Sequence, residues 1–172
     1  NWWRYKRNTK NYYCKRNTQQ YPKFVILANI INDYNLELSY DNELLIKLIN
    51  HIFFSEKIKK ASISIILTNQ DYLSKLKKEY FNVDQFTDVI AFNLEDENEN
   101  IDGEVYISID NVLENSKKFK TSFSNEFSRV FIHGVLHVIG YKDNDEKNIK
   151  IMSALEDKYL LNLSEEVISL KC

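Results

Sequence analysis

The spacing of apolar residues changes several times along this 172-residue chain, and the changes divide it into elements. "FVILANII" (24–31) is a short apolar run, which predicts a buried strand or the lead into one. "LELSY" (36–40) alternates and predicts a second, shorter strand. The spacing then becomes helical. Leu44, Leu45, Leu48, Ile49, Ile52 and Phe53 fall on one stripe, with Asp41 placed to cap it. "SISIILT" (62–68) is short and β-branched, so a strand. Asn69 is placed to cap the helix "QDYLSKLKKEYF" (70–81). "TDVIAFNL" (87–94) and "EVYISI" (104–109) read as paired strands around an acidic turn, "EDENENIDG" (95–103). Asp110 opens a helix to about Phe119. Residues 121–124 break and cap the next one, which runs from about Asn125 to Ile139, and a last helix spans Asp145 to Leu161. Strands and helices are mixed in order, which predicts an α+β fold: a small mixed sheet packed with helices. No internal repeat is visible, and the length suits one domain over residues 24–172.

Residues 1–23 show neither period. They carry Arg4, Lys6, Arg7, Lys10, Lys15, Arg16 and Lys23, no acid, and the aromatics Trp2, Trp3, Tyr5, Tyr12, Tyr13 and Tyr21. This predicts a poorly ordered basic arm. Its composition suits nucleic acid, with rings for bases and cations for phosphates. A plain terminal extension is the favoured reading. The whole chain has a formal net charge of -2, so it carries no overall basic field for nonspecific nucleic-acid binding. Cys14 and Cys172 form no framework and fit a reducing compartment. No apolar run is long enough to span a membrane, and the first residues lack a signal-peptide core, so a cytoplasmic protein is expected.

Candidate chemistry lies in "VFIHGVLHVIGYKDN" (130–144), which holds two of the three histidines. His133 and His137 are four apart, so a helix puts them on one face with Cβ atoms about 5–6 Å apart. Gly140 can take the left-handed conformation that ends a helix. The returning chain then brings Asp143 toward the same point. Two histidines and one carboxylate make a catalytic zinc set with a fourth position open. The competing reading is two packed core histidines. The glycine and aspartate stand seven and ten residues after His133, the offsets of the zincin-like turn and third ligand, and favour the metal. Burial favours it too, because an unpartnered buried polar group costs about 2–7 kcal/mol. Zinc peptidases of the HExxH type use the residue after the first histidine as base. Here that residue is Gly134, which cannot take a proton, so proteolysis is disfavoured.

"HGVLHVIGYKD", followed by Met152 and Glu156, resembles the YbeY family of bacterial metal-dependent endoribonucleases, whose signature is HGxLHLxGYDH. "FTDVIAF" and "DGEVYIS" resemble two upstream strand motifs of that family, and "LKKEYFNVDQF" the segment before them. The resemblance covers roughly Asn29 to Leu161. It implies an α+β fold around a metal helix, one zinc ion, cleavage of single-stranded RNA, and a role in 3′-end maturation of 16S rRNA and in ribosome quality control. RNA and the small ribosomal subunit are the implied partners. By position, His133 and His137 match the first two metal ligands, and Asp143 stands where the family usually has a third histidine. A carboxylate adds a negative charge, which makes bound water less acidic. Many members carry Arg after the tyrosine matching Tyr80, where it is thought to handle RNA; here Phe81 stands there, either to stack a base or to fill the core, and the core is the favoured reading. Phosphate contacts then fall to Lys75, Lys77, Lys78, Arg129 or the arm. No general base is evident, and Asp88 is the candidate. A zinc metallopeptidase and a noncatalytic zinc-containing ribosome-associated protein are the competing functions.

Overall fold

The computed structural model describes residues 24–34, 37–82, 87–94, 100–161, 163 and 166–170. The basic arm (1–23), residues 95–99 of the acidic segment and both cysteines lie outside the described residues. The elements are β1 (Val25–Asn32), β2 (Leu38–Tyr40), α1 (Asn42–Ser55), β3 (Lys60–Thr68), α2 (Gln70–Phe81), β4 (Val89–Asn93), β5 (Asn100–Ser108), α3 (Ile109–Lys118), α4 (Phe123–Val138), α5 (Glu146–Leu160) and β6 (Ile168–Leu170). The fold is α+β. One sheet runs β1-β3-β5-β4, with β1, β3 and β5 parallel and β4 antiparallel to β5. β2 and β6 pair separately as a short antiparallel ribbon.

Local chemistry sets the helix starts, as anticipated at Asp41 and Asn69. Asp41 accepts from Leu44 N at 2.9 Å, Asn69 from Tyr72 N at 2.9 Å, and Asp145 from Asn148 N at 2.8 Å. Each side chain satisfies an amide that the first turn leaves without a partner. On α1 the apolar stripe is the buried face, with Leu45, Leu48, Ile49, Ile52 and Phe53 enclosed.

Four expectations need correction. β1 is not a buried strand. It is an edge of the sheet, and only Ile30 is fully buried while Val25, Leu27 and Ile31 are exposed. An apolar run cannot by itself distinguish a central strand from an edge packed on one face. β5 starts at Asn100, inside the expected turn, because residues 100–103 pair with Lys60 to Ile63 of β3. Asp110 does not cap its own helix; Ser108 does. The Asp110 carboxylate accepts instead from Gln70 N at 2.9 Å and from the Tyr34 hydroxyl, so it helps cap α2 from the end of the neighbouring strand. α4 begins at Phe123 behind Ser122, whose hydroxyl accepts from Asn125 N at 3.1 Å, two residues before the expected start. β6 was not foreseen, since three residues are too few to show a period.

α4 crosses the sheet closely. A Cβ added at Gly134 would lie 2.4 Å from Val105 Cγ1 and 3.0 Å from Val89 Cγ2. One at Gly103 on β5 would lie 2.5 Å from Val138 Cγ1. The two glycines, one in the helix and one in the strand, therefore set the contact distance. Buried β-branched neighbours have few rotamers in which to retreat. Gly134→Ala should lower unfolding stability by about 1–3 kcal/mol through overpacking, despite alanine's better helix propensity. A urea midpoint unchanged from the native chain would show that α4 can lift from the sheet without cost.

Candidate metal centre

The depth of α4 decides which of its residues meet solvent. From Glu126 to Val138 every position is buried except Arg129, His133 and His137. These three are spaced by four and form one stripe along an otherwise enclosed helix. The histidine side chains retain 23% and 26% exposure.

The end of the helix delivers the third group. Gly140 has φ +101°. Its amide donates to His137 O at 2.9 Å, and Tyr141 N donates to Leu136 O at 3.1 Å. This nested pair of bonds, with glycine in the left-handed position, reverses the chain at the helix terminus. Asp143 then reaches back, with Oδ2 at 3.6 Å from His133 Nε2 and 3.7 Å from His137 Nε2. The two Nε2 atoms are 2.9 Å apart.

The outer contacts of the rings fix what those atoms carry. His137 Nδ1 lies 2.9 Å from the Tyr141 carbonyl oxygen, which can only accept, so Nδ1 holds the proton. His133 Nδ1 lies 2.7 Å from Glu156 Oε1 and donates to that carboxylate. Both Nε2 atoms of the neutral rings are then lone-pair donors aimed at one another and at Asp143. Lone pairs at 2.9 Å repel unless a proton or a cation lies between them. Around an ion with ligand distances of about 2.0–2.1 Å, tetrahedral donors stand about 3.3 Å apart. The observed separations bracket that value. His133, His137 and Asp143 can therefore hold a metal ion.

The support behind the rings is buried and charged. Glu156 is 7% exposed and accepts from Arg129 Nη1 at 3.0 Å as well as from His133. Arg129 Nη2 also meets Asp157 Oδ1 at 3.1 Å. On the other side, the Tyr141 hydroxyl donates to Glu56 Oε2 at 2.7 Å, and Tyr159 donates to the same carboxylate. Glu56 thus ties the end of α1 to α5 and to the turn whose carbonyl orients His137. Burial opposes charging of His133, but the surrounding carboxylates, Glu156 first and then Asp143 and Asp88, together outweigh it and raise the pKa above the ordinary histidine value. Burial, with the nearby His133 charge, lowers that of His137. One ring of the pair thus attracts a proton and the other resists it.

Other candidate residues are dispersed. Asp88 sits just before β4; its carbonyl accepts from Ser108 N at 2.8 Å and its carboxylate from Asn115 Nδ2 at 3.1 Å. Its charge acts on His133, and it is not one of the three clustered groups. Arg129 is engaged by Glu156 and Asp157. Lys75, Lys77 and Lys78 lie on α2 and make no ion pair with any described residue. Phe81 is not in the core. It is 51% exposed at the end of α2, with its ring stacked on Phe92 at 6.0 Å. The helix ends there, in a left-handed Asn82, so the residue has no second layer to enter.

Sequence reasoning gave no role to Glu156, Glu56 or Glu126. Glu126 is 6% exposed and lies two helical turns before His133 on the same face; burial first and the Asp88 charge second raise its pKa above the usual carboxylate value. Its seven-residue separation from His133 was the available signal.

Comparison with known proteins agrees with this geometry. The family profile described as endoribonuclease YbeY matches residues 28–164. An endoribonuclease YbeY of Flavobacterium johnsoniae is 36% identical over 127 residues, covering 73% of this chain and 91% of that protein. One of Karelsulcia muelleri is 42% identical over 106 residues, covering 62% of this chain and 74% of that protein. The solution structure of TM1509 from Thermotoga maritima superimposes with a TM-score of 0.53 at 28% identity, covering 78% of this chain and 87% of that one. With the profile spanning most of its length and a relative matched almost end to end, this chain belongs to the endoribonuclease YbeY family.

Proposed function

We propose that the protein is a zinc-dependent endoribonuclease that cuts single-stranded RNA, acting in the cytoplasm on the 3′ end of 16S rRNA and in ribosome quality control. The observation that carries the reading is the convergence of two Nε2 lone pairs and one half-exposed carboxylate at a single point. Family membership supports RNA as the substrate. No helix among the described residues is long and apolar enough to cross a membrane.

His133, His137 and Asp143 would hold the ion. Bound zinc polarises a phosphoryl oxygen and makes a coordinated water more acidic. Glu156 keeps His133 in the tautomer that presents Nε2, and the Tyr141 carbonyl does the same for His137. Such support orients the ligands and raises their basicity. Asp88 is the candidate acceptor for the proton of the attacking water, since it directly precedes the strand packed against Gly134 and is not one of the three clustered groups. A peptidase is not favoured, because position 134 has no room for the glutamate that such enzymes use.

His137→Ala should lose both bound metal and RNA cleavage, read by metal analysis and a single-stranded RNA assay. Cleavage at the native rate by a metal-free variant would sink the proposal. Casein tested in parallel, with and without chelator, separates a peptidase; RNA retained without any product indicates a noncatalytic zinc protein. Asp143→Ala should weaken metal binding and Asp143→His should preserve it. If neither changes affinity, Asp143 is not a ligand. Glu156→Ala should lower metal affinity about 10–100-fold in competition with a chromogenic chelator. Glu156→Gln keeps an oxygen for His133 and should lose much less; equal losses would show that the carboxylate acts by charge alone.

A further inference from the structure

The face of the sheet turned away from α4 carries a chain of aromatic rings. Side chains alternate along a strand, so Val89 points at Gly134 while Phe92 points the other way. Phe92 lies 6.0 Å from Phe81 with their planes 19° apart, and 5.2 Å from Tyr80 edge to face. It also meets Tyr106 at 6.0 Å, and Tyr106 in turn meets Tyr72 at 6.0 Å. These rings are not enclosed: Tyr80 is 62% exposed, Phe81 51% and Tyr72 41%.

Isolated apolar residues on a surface need no explanation, but a contiguous cluster marks an interaction site. Here the chemistry of the cluster narrows the partner. It is aromatic throughout, and flat π-faces are what unpaired bases stack on regardless of their sequence. Lys77 stands one helical turn before Phe81, on the same side of α2. Lys75, Lys77 and Lys78 have no carboxylate partner among the described residues, so they remain available to phosphates. Of the acids nearby, Glu104 accepts from Tyr106 Oη at 2.7 Å, while Asp71 and Glu79 lie on α2 itself. β4 also links this face to the metal centre. It presents Phe92 on one side, packs Val89 against the residue next to His133 on the other, and is preceded by Asp88.

We propose that Phe81 and Phe92, with Tyr80 and Lys77, form a stacking surface for the bases of single-stranded RNA, holding the strand whose backbone is cut at the histidines. The proposal rests on the RNA-cleaving function above and adds how the substrate is held. Stacking replaces a charged contact at position 81.

The test compares binding of labelled oligo(dT) with that of an abasic strand of equal length, by fluorescence anisotropy on the zinc-loaded protein. Thymine offers the same ring face as uracil, and the abasic strand offers phosphates alone. The native protein should prefer oligo(dT), and Phe81→Leu and Phe92→Leu should each weaken it by about fivefold or more while leaving the abasic strand unaffected. Phe81→Tyr should retain the preference, and the RNA cleavage defect of Phe81→Leu should appear as a raised KM with unchanged zinc content. If Phe81→Leu keeps the full preference for bases, the proposal is overturned. A native protein that cuts single-stranded RNA yet does not distinguish the two strands overturns the stacking surface and leaves the nuclease reading intact. One that neither binds nor cuts RNA overturns both. A native dimer that Phe81→Leu dissociates would assign the cluster to a second copy of the chain, and the proposal would fall.

Discussion

The structure depends on how closely α4 lies against β4 and β5. Gly134 and Gly103 remove the side chains that would hold helix and strand apart, and Val105, Val89 and Val138 fill the space they leave. A helix seated this deeply is surrounded by core. Phe127, Phe131, Ile132, Val135 and Leu136 are all fully enclosed. The side left open is too narrow for more than one residue per turn, and Arg129, His133 and His137 occupy it. The geometry of the candidate centre follows from that seating.

The same contact bears on the chemistry. In a HExxH helix the position after the first histidine supplies a carboxylate. Here it supplies contact with the sheet, and no side chain fits. The proton acceptor for hydrolysis must therefore come from another element. Asp88, proposed above for that role, directly precedes the strand that Gly134 touches. Two carboxylates that ligate nothing still shape the site. Glu156 fixes one imidazole and neutralises Arg129, and Glu56 anchors the tyrosine whose carbonyl fixes the other. Both act over large sequence separations, from α5 and α1.

Much of the architecture was legible because it is written in local periods. The α1 stripe, the caps at Asp41 and Asn69, and the strand composition of β3 to β5 depend on residues within a few positions of one another. Errors arose where a neighbour in space decided. The apolar run of β1 reads as central, yet nothing pairs with its outer edge among the described residues. Asp110 has the form of a local cap, but a nearer serine takes that role and frees it for α2. Phe81 has the residue type of a core position, but it lies at the exposed end of α2, where its ring packs on Phe92 at the surface.

By itself the sequence determined most of the elements and the trio His133, His137 and Asp143, because an i, i+4 pair, a glycine turn and a following carboxylate converge through helix geometry alone. Only the tertiary structure decided that both Nε2 atoms are free to donate, since their tautomers are set by Glu156 and by a backbone carbonyl. It also decided that position 134 cannot hold a base, that Arg129 belongs to Glu156, and that Phe81 joins a surface array of rings. Those outcomes depend on distances between elements far apart in the chain, and local spacing carries no information about such distances.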